Sequence, residues 1–510
     1  IGEEQLFSLG NSPSNEDSFN MTALALRGSR FHNGVSRIHG GVASKMESYV
    51  WPQISPEENP ISYVTNGVHL STFLAREWVN LFDMRFSDWR NELLNEQYWQ
   101  HINDIPDIRF WSVRQELKTV MFRYVCAKAS SQHRRNGVNE NTIVRMTAHL
   151  QPRESDTLVL GFARRFATYK RATLLFSYPQ RLARILGNPE RPVILIFAGK
   201  AHPNDQPGQK LIQQIHDFSM RPEFLGKIIL LEGYDLALAR KLVAGVDVWL
   251  NNPEYPLEAS GTSGEKAGVN GVLNLSVLDG WWAEGYNGEN GWAITPHGSE
   301  TDAVQRDKNE AMGLLDILEQ EVIPEYFDRD HQGYSPKWVA RSKASMKSLI
   351  PHYSAQRMVM DYVRNFYGPA RDQHKRLMEN QARPAIELAQ WKKKVRELWP
   401  GISMQLTHEV PTEIKYDEVL SLDVLVFLNG LNHDDVVVEC LFGNEDEQGR
   451  FILSKCYKLD PEQQQEAGDQ VTFSIKLQLD SSGLQYYKIR MYPYHPLLSH
   501  SFEMGFLIWL

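Results

Sequence analysis

Between residues 150 and 300 one pattern recurs: a short continuous apolar run, a polar or glycine-containing stretch, then a segment with helical spacing. The runs fall at 158–162, 193–197, 228–231 and 246–250, with helical segments such as 211–218 and 236–243 between them. Strands that are apolar on both faces must be covered from both sides, so strand and helix alternation predicts βαβ units and a parallel sheet. Each run ends in groups suited to binding: Ala163-Arg164-Arg165, Gly199-Lys200, Glu232-Gly233-Tyr234 and Asn251-Asn252-Pro253. Open parallel sheets take ligands beyond the carboxyl ends of their strands, which places a site there.

The flanking zones differ in texture. Residues 1–125 are mixed and mostly helical in pattern, with a turn signal at Gly10-Asn11-Ser12-Pro13; residues 82–125 carry apolar side chains at helical spacing and are rich in Trp and Leu. Residues 304–398 return to helix; 354–399 read as one or more long helices, broken near Gly368-Pro369 and ended by Pro400-Gly401. Past residue 405, Val471, Phe473, Ile475, Leu477 and Leu479 alternate with polar residues, as do Tyr487, Ile489 and Met491. With turn signals such as Asn429-Gly430, this predicts a β-sandwich of roughly 100 residues.

A chain of 510 residues, 42% of them hydrophobic, can bury real cores, which excludes a disordered, collagenous or coiled-coil protein. With 54 Lys and Arg against 63 Asp and Glu, the net charge of −9 argues against nucleic-acid and anionic-membrane partners. No apolar run reaches the roughly 18 residues of a membrane span. The three cysteines, Cys126, Cys440 and Cys456, are far apart and form no CxxC, so neither a metal site nor a disulfide framework is expected, and the reducing cytoplasm is the expected location.

The densest motif is Leu257-Glu258-Ala259-Ser260-Gly261-Thr262-Ser263-Gly264-Glu265-Lys266-Ala267-Gly268-Val269-Asn270-Gly271. A Gly/Ser/Thr-rich loop after a strand, opening a helix, fits either a solvated loop or a phosphate cradle of backbone N–H groups. Lys266, about one turn into that helix, can pair with an anion or condense with an aldehyde cofactor. The spacing is not that of a GxxxxGK[ST] loop. The second motif is Gly161-Phe162-Ala163-Arg164-Arg165-Phe166-Ala167-Thr168-Tyr169-Lys170-Arg171, four cations in eight residues after a buried strand. They suit either a solvated basic helix start or a pocket for a dianion. Asn33-Gly34-Val35-Ser36-Arg37-Ile38-His39 and Thr65-Asn66-Gly67-Val68-His69 hold histidines that fit a packing role as well as a ligand role. Gly280-Trp281-Trp282-Ala283-Glu284-Gly285-Tyr286 fits a core cluster or a sugar-stacking face.

Taken in order and spacing, these motifs resemble the α-glucan phosphorylases, pyridoxal-phosphate enzymes that cleave starch, glycogen and maltodextrins with phosphate. The resemblance runs from about Phe19-Asn20-Met21-Thr22 to about Tyr367 and is nearest to the shorter bacterial and archaeal type. Its hallmarks are Asn66-Gly67-Val68-His69, Glu258-Ala259-Ser260-Gly261-Thr262-Ser263-Gly264 and Leu278-Asp279-Gly280-Trp281-Trp282-Ala283-Glu284-Gly285-Tyr286. The tail containing Tyr494-His495-Pro496 resembles the β-sandwich some of these enzymes carry.

The resemblance implies the α/β glycosyltransferase B architecture, two Rossmann-like domains facing across a cleft. The expected divisions are the end of an incomplete first Rossmann-like domain in 1–125, a second, cofactor-binding one with return helices in 126–400, and an accessory β-sandwich in 401–510. It implies Lys266 as the lysine that carries pyridoxal 5'-phosphate. Thr262 and the backbone of Ser263 and Gly264, with Arg164, would hold the cofactor phosphate, and Tyr234 would pack by its ring. Arg165 and Lys170 would bind the substrate phosphate; Glu258, Ser260, Gly261 and His69 would meet the glucosyl unit. The implied partners are an α-1,4-glucan, phosphate and glucose 1-phosphate.

Three residues depart from the family pattern. Glu265 stands where many members have Met, Asp235 where the longer members have Arg, and Arg30 where they have His. A Glu265 carboxylate pointing inward would oppose phosphate binding; neighbours i and i+1 on a helix face different ways, so helix geometry allows it to point away from the anion site. The family's first several hundred residues have no counterpart in the chain. The expectation is therefore that this chain alone is inactive. The apolar faces of 82–125 should then be exposed or paired, with a missing N-terminal half or in a homo-oligomer. Two alternatives are a catalytically silent glucan-binding relative and a sugar-nucleotide glucosyltransferase of the same architecture; the latter has no need of Lys266 as a cofactor lysine.

Overall fold

The computed structural model of the protein describes residues 2–11, 19–151, 156–297, 302–415, 418–446, 449–462, 469–478 and 483–510. Ser12, Pro13 and Leu479 lie outside the described residues. The chain divides into two compact units, one drawn from Asn33–Ala43 and Ile61–Val363, the other from Ile1–His32, Ser44–Pro60 and Arg364–Leu510.

The first of these is organised by a six-stranded sheet. Its strands are β1 (Leu158–Ala163), β2 (Val193–Ala198), β3 (Ile228–Leu231), β4 (Val248–Asn251), β5 (Leu273–Val277) and β6 (Gly291–Ile294). Every pairing is parallel and the order is β3-β2-β1-β4-β5-β6. The four apolar runs become β1 to β4, nearly all of whose residues are buried. Helices cover the sheet, among them α1 (Arg76–Arg85), α2 (Asp107–Arg135), α3 (Pro179–Leu186), α4 (Gln206–Ser219), α5 (Leu236–Gly245) and α6 (Thr262–Gly268). Strand order reverses between β1 and β4, where Leu160 pairs with Val248 and Gly161 with Trp249.

β5 and β6 carry no long apolar run. In β5, Asn274 and Ser276 alternate with Leu273, Leu275 and Val277, yet all five are buried. The pair is partly satisfied: Asn274 Nδ2 donates to the Gly264 carbonyl at 3.0 Å and Ser276 Oγ to the Val277 carbonyl at 2.9 Å, while Asn274 Oδ1 has no partner among the described residues.

The expected exposure of residues 82–125 is corrected. Phe82, Trp89, Trp99, Ile102, Phe110, Leu117, Met121 and Phe122 are all buried, in the same hydrophobic clusters as the sheet strands. Apolar side chains at helical spacing report that a face is covered, not what covers it. Here the residues that flank the sheet in this unit cover it.

The other unit holds seven antiparallel strands: β7 (Ser403–Leu406), β8 (Val419–Phe427), β9 (Val436–Glu445), β10 (Phe451–Pro461), β11 (Gln470–Gln478), β12 (Tyr486–Pro493) and β13 (Ile508–Trp509). Their order is β13-β12-β9-β10-β11-β8-β7. β10 pairs with β9 along most of its length and with β11 only through Asp460 and Pro461. Side chains from both sides of that narrow junction, such as Leu422 and Val424 on β8 and Val438 and Cys440 on β9, share one core. The helix α7 (Gly368–Leu398) precedes the sheet. Its break falls at Glu379–Ala382, where Asn380, Gln381 and Ala382 adopt positive φ, and not at Gly368-Pro369. Proline is compatible with a first helical turn, which explains why Pro369 does not end the helix. Segment 44–60 belongs to this unit through the buried Arg490, whose Nη2 meets Glu58 at 2.7 Å and Glu439 at 2.9 Å.

Candidate active site

The strand-order reversal sets the site. Arg164 follows β1, and its backbone N–H donates to the Ala198 carbonyl at the end of β2 at 3.0 Å. Its Nη1 donates to Asn251 Oδ1, the last residue of β4, at 2.6 Å, and its Nη2 to Glu258 Oε1 at 2.9 Å. Lys170 Nζ reaches the same carboxylate, at 2.9 Å to Oε2 and 3.2 Å to Oε1, and lies over the Tyr169 ring at 4.7 Å. All three are buried, at 8%, 7% and 6% exposure for Arg164, Lys170 and Glu258. Arg164 Nε has no partner among the described residues. Two buried cations thus share the Glu258 carboxylate, an arrangement for which an incoming anion can compete.

Asp279 fixes the loop that carries Glu258. It accepts the N–H of Glu258 at 2.9 Å and that of Gly280 at 2.8 Å. Burial pushes its carboxyl up to about 6 against the pull of those two hydrogen bonds. Gly261 then turns the chain at φ +93°, a conformation open to glycine, and α6 begins at Thr262. At Gly264 a Cβ would lie 2.6 Å from Asn274 Oδ1 and 2.9 Å from the Trp281 ring, so only glycine lets the helix approach β5 this closely.

Lys266 Nζ lies 4.5 Å over the Phe73 ring and donates to Thr262 Oγ1 at 3.3 Å. Burial lowers its pKa below the usual lysine value, with the Glu265 carboxyl pulling the other way. A partly buried amine of lowered basicity is a better nucleophile at neutral pH. Ser263 Oγ accepts from Trp249 Nε1 at 3.2 Å, and buried Ser260 Oγ has no partner among the described residues. Tyr234 Oη donates to the Ala163 carbonyl at 3.4 Å, beside the end of β1; burial raises its pKa and the Arg164 charge lowers it.

Arg165 is exposed and outside the ion cluster. His69 is exposed as well, its Nδ1 within 2.8 Å of Thr72 Oγ1. Glu265 is wholly buried, and neither carboxyl oxygen has a partner among the described residues. Burial drives its pKa well above the carboxylate range; the Arg357 and Lys266 charges oppose this and Glu284 adds to it. Glu284 accepts the Arg37 N–H at 2.9 Å and the Thr65 hydroxyl at 2.8 Å. Burial therefore favours the neutral form of Glu265 over the carboxylate.

Sequence reasoning passed over Asn251, Asp279, Ser36 and Phe73. Ser36 Oγ donates to the Ala259 carbonyl at 2.7 Å and so props the Glu258 loop. Asn251 stood in a quoted strand end and Asp279 in a quoted motif; for Phe73 no local signal exists.

A parallel sheet with cations, a glycine-rich loop and a partly buried lysine at its reversal point is a doubly wound unit built to bind an anionic ligand. Residues 8–364 match the family model described as carbohydrate phosphorylase, and residues 399–510 that described as the glycogen phosphorylase C-terminal domain. The chain belongs to the carbohydrate phosphorylase family. It is 38% identical to a maltodextrin phosphorylase of Thermococcus litoralis, over 100% of this chain and 59% of that protein. It is 37% identical to a glycogen phosphorylase of Mycobacterium tuberculosis, over 96% of this chain and 56% of that one. With a glycogen phosphorylase of Aquifex aeolicus the figures are 42%, 72% and 52%. The chain thus spans between 52% and 59% of the length of these three curated relatives. Among the described residues no helix is long and apolar enough to cross a membrane, and no group of acidic, His and Cys side chains has the makings of a metal site.

Proposed function

We propose that the protein is an α-1,4-glucan phosphorylase that transfers a terminal glucosyl unit from a glucan to inorganic phosphate, giving glucose 1-phosphate, with pyridoxal 5'-phosphate as cofactor and the glycosyltransferase B arrangement. In this reading 126–400 is the cofactor-binding Rossmann-like domain, 1–125 belongs to the first such domain, and 401–510 is an accessory β domain. The observation that carries the reading is the buried Arg164–Glu258–Lys170 cluster, whose carboxylate sits on the loop that leads to Lys266.

The residues present fit the cofactor. Lys266 offers an amine of lowered basicity over an aromatic face, Arg164 keeps a buried Nε without a partner among the described residues, and Thr262 and Ser263 offer hydroxyls at the head of α6. Thr262, Ser263, Gly264 and Arg164 would hold its phosphate, and Tyr234 would flank its ring. When bound, the group supplies a phosphate that exchanges a proton with inorganic phosphate. Lys170 and Arg165 would hold the inorganic phosphate, and Glu258, Ser260 and Gly261 the glucosyl hydroxyls; among the described residues buried Ser260 Oγ has no partner to compete for them. Two adjacent phosphates repel unless cations surround them, and Arg164, Arg165 and Lys170 provide that charge.

The test is binding of phosphate and glucose 1-phosphate to this chain, with formation of glucose 1-phosphate from maltodextrin and phosphate assayed on the full-length protein. Arg165→Ala should remove a charge-assisted contact worth about 1.5–3 kcal/mol, weakening phosphate and glucose 1-phosphate by about ten- to a hundredfold while sparing glucan affinity. A variant impaired in glucan affinity alone would contradict the assignment.

A further inference from the structure

We propose that Glu258 is a placeholder anion: its carboxylate occupies Arg164 and Lys170 until phosphate groups take those cations, and only then is it free to accept sugar hydroxyls. This rests on the phosphorylase reading above and adds an order of events to it.

The geometry gives Glu258 two jobs that it cannot do at once. Its carboxylate has about four lone-pair sites. Three short contacts, at 2.9, 2.9 and 3.2 Å, already engage it with Arg164 Nη2 and Lys170 Nζ. A carboxylate so engaged is a weak acceptor for a neutral hydroxyl. The same two cations belong, in the proposed reaction, to different phosphates. An incoming phosphate therefore competes with Glu258 for its partners and repels it at close range. The main chain cannot yield, because the Glu258 N–H is held by Asp279 Oδ2 at 2.9 Å, and the next residue but one, Ser260, receives the Trp281 N–H at 2.9 Å. The side chain is the part that can move. Release of the carboxylate by one ligand makes it available to the other, so phosphate and glucosyl binding must strengthen each other by the same factor. The placeholder also keeps the buried cations paired when no anion is bound, which an unpaired cluster could not survive cheaply.

Calorimetric titration of the protein with inorganic phosphate tests this, using wild type, Glu258→Gln, Glu258→Asp and Lys170→Ala. Glu258→Gln removes the competing charge at constant size and should bind phosphate at least about tenfold more tightly than wild type. Glu258→Asp withdraws the carboxylate by one methylene and should fall between the two. Unchanged or weaker phosphate binding by Glu258→Gln overturns the proposal. If wild type binds phosphate, Lys170→Ala does not, and Glu258→Gln matches wild type, the phosphorylase reading stands and the placeholder falls. Absence of phosphate binding in all four overturns both. If Glu258→Gln fails to fold, phosphate in the refolding buffer should restore it by replacing the lost counter-charge; failure to restore it counts against the proposal.

Discussion

Replacing Trp78 by Ala will cost the unit that contains it about 3–5 kcal/mol, the usual price of truncating a fully buried large aromatic. The measurement is the denaturant midpoint of that unit's transition. Trp78 is 0% exposed, its ring lies 4.7 Å from that of Phe110, and its Nε1 donates to the Asn270 carbonyl at 3.0 Å. Asn270 in turn receives the Ala75 N–H at 2.8 Å and donates to the Phe73 and Lys266 carbonyls, both at 2.8 Å. The truncation would empty a ring-sized volume and leave the Asn270 carbonyl with Arg114 Nη1, at 3.1 Å, as its remaining side-chain donor, next to the helix that carries Lys266. Were Trp78 on a solvent-facing surface, the same change would stay within about 0.5 kcal/mol. A small loss would mean that α1 is not part of this core.

Glu265→Gln will change how stability depends on pH. The folded protein holds Glu265 protonated above the usual carboxyl value of 4.5, because burial penalises its charge. The unfolded chain ionises it near that value. Between the unfolded and folded pKa the folded state therefore binds more protons, and this group's contribution falls as pH rises. The slope is about 1.4 kcal/mol per pH unit for one proton. Glutamine carries no proton to lose. The stability of Glu265→Gln relative to wild type should then grow as pH rises above the usual carboxyl value, seen in parallel denaturation series. Curves that stay a constant distance apart would show that Glu265 ionises normally in the folded protein.

The same residue shows where local sequence stops informing. The i, i+1 rule sends Glu265 and Lys266 in different directions, and it is obeyed. It does not say whether the other direction is solvent. Gly264, Ala267 and Gly268 are all buried, and a Cβ at Gly268 would collide with Leu349. A helix this poor in side chains is packed around most of its girth, so Glu265 has no open side to reach. Strands β1 to β4 were legible because each is a run of apolar residues bounded by polar ends. β5 was not, because Asn274 and Ser276 interrupt its apolar residues, and Asn274 finds its partner in Gly264 of the preceding helix. Arg164 and Lys170 were legible as strand-end cations. Their shared carboxylate was not: Glu258 lies 94 residues beyond Arg164 and meets it only through the β1–β4 pairing. His69 illustrates the converse, a motif residue that the fold leaves exposed against Thr72.

The most direct measurement is borohydride reduction of the protein loaded with pyridoxal 5'-phosphate, with absorbance spectra before and after and peptide mapping of the product. The expected result is loss of the cofactor's bound absorbance band and a single pyridoxyl label on Lys266. A label on another lysine, or no cofactor retained by the complete protein, would contradict the assignment of Lys266 and with it the phosphorylase reading.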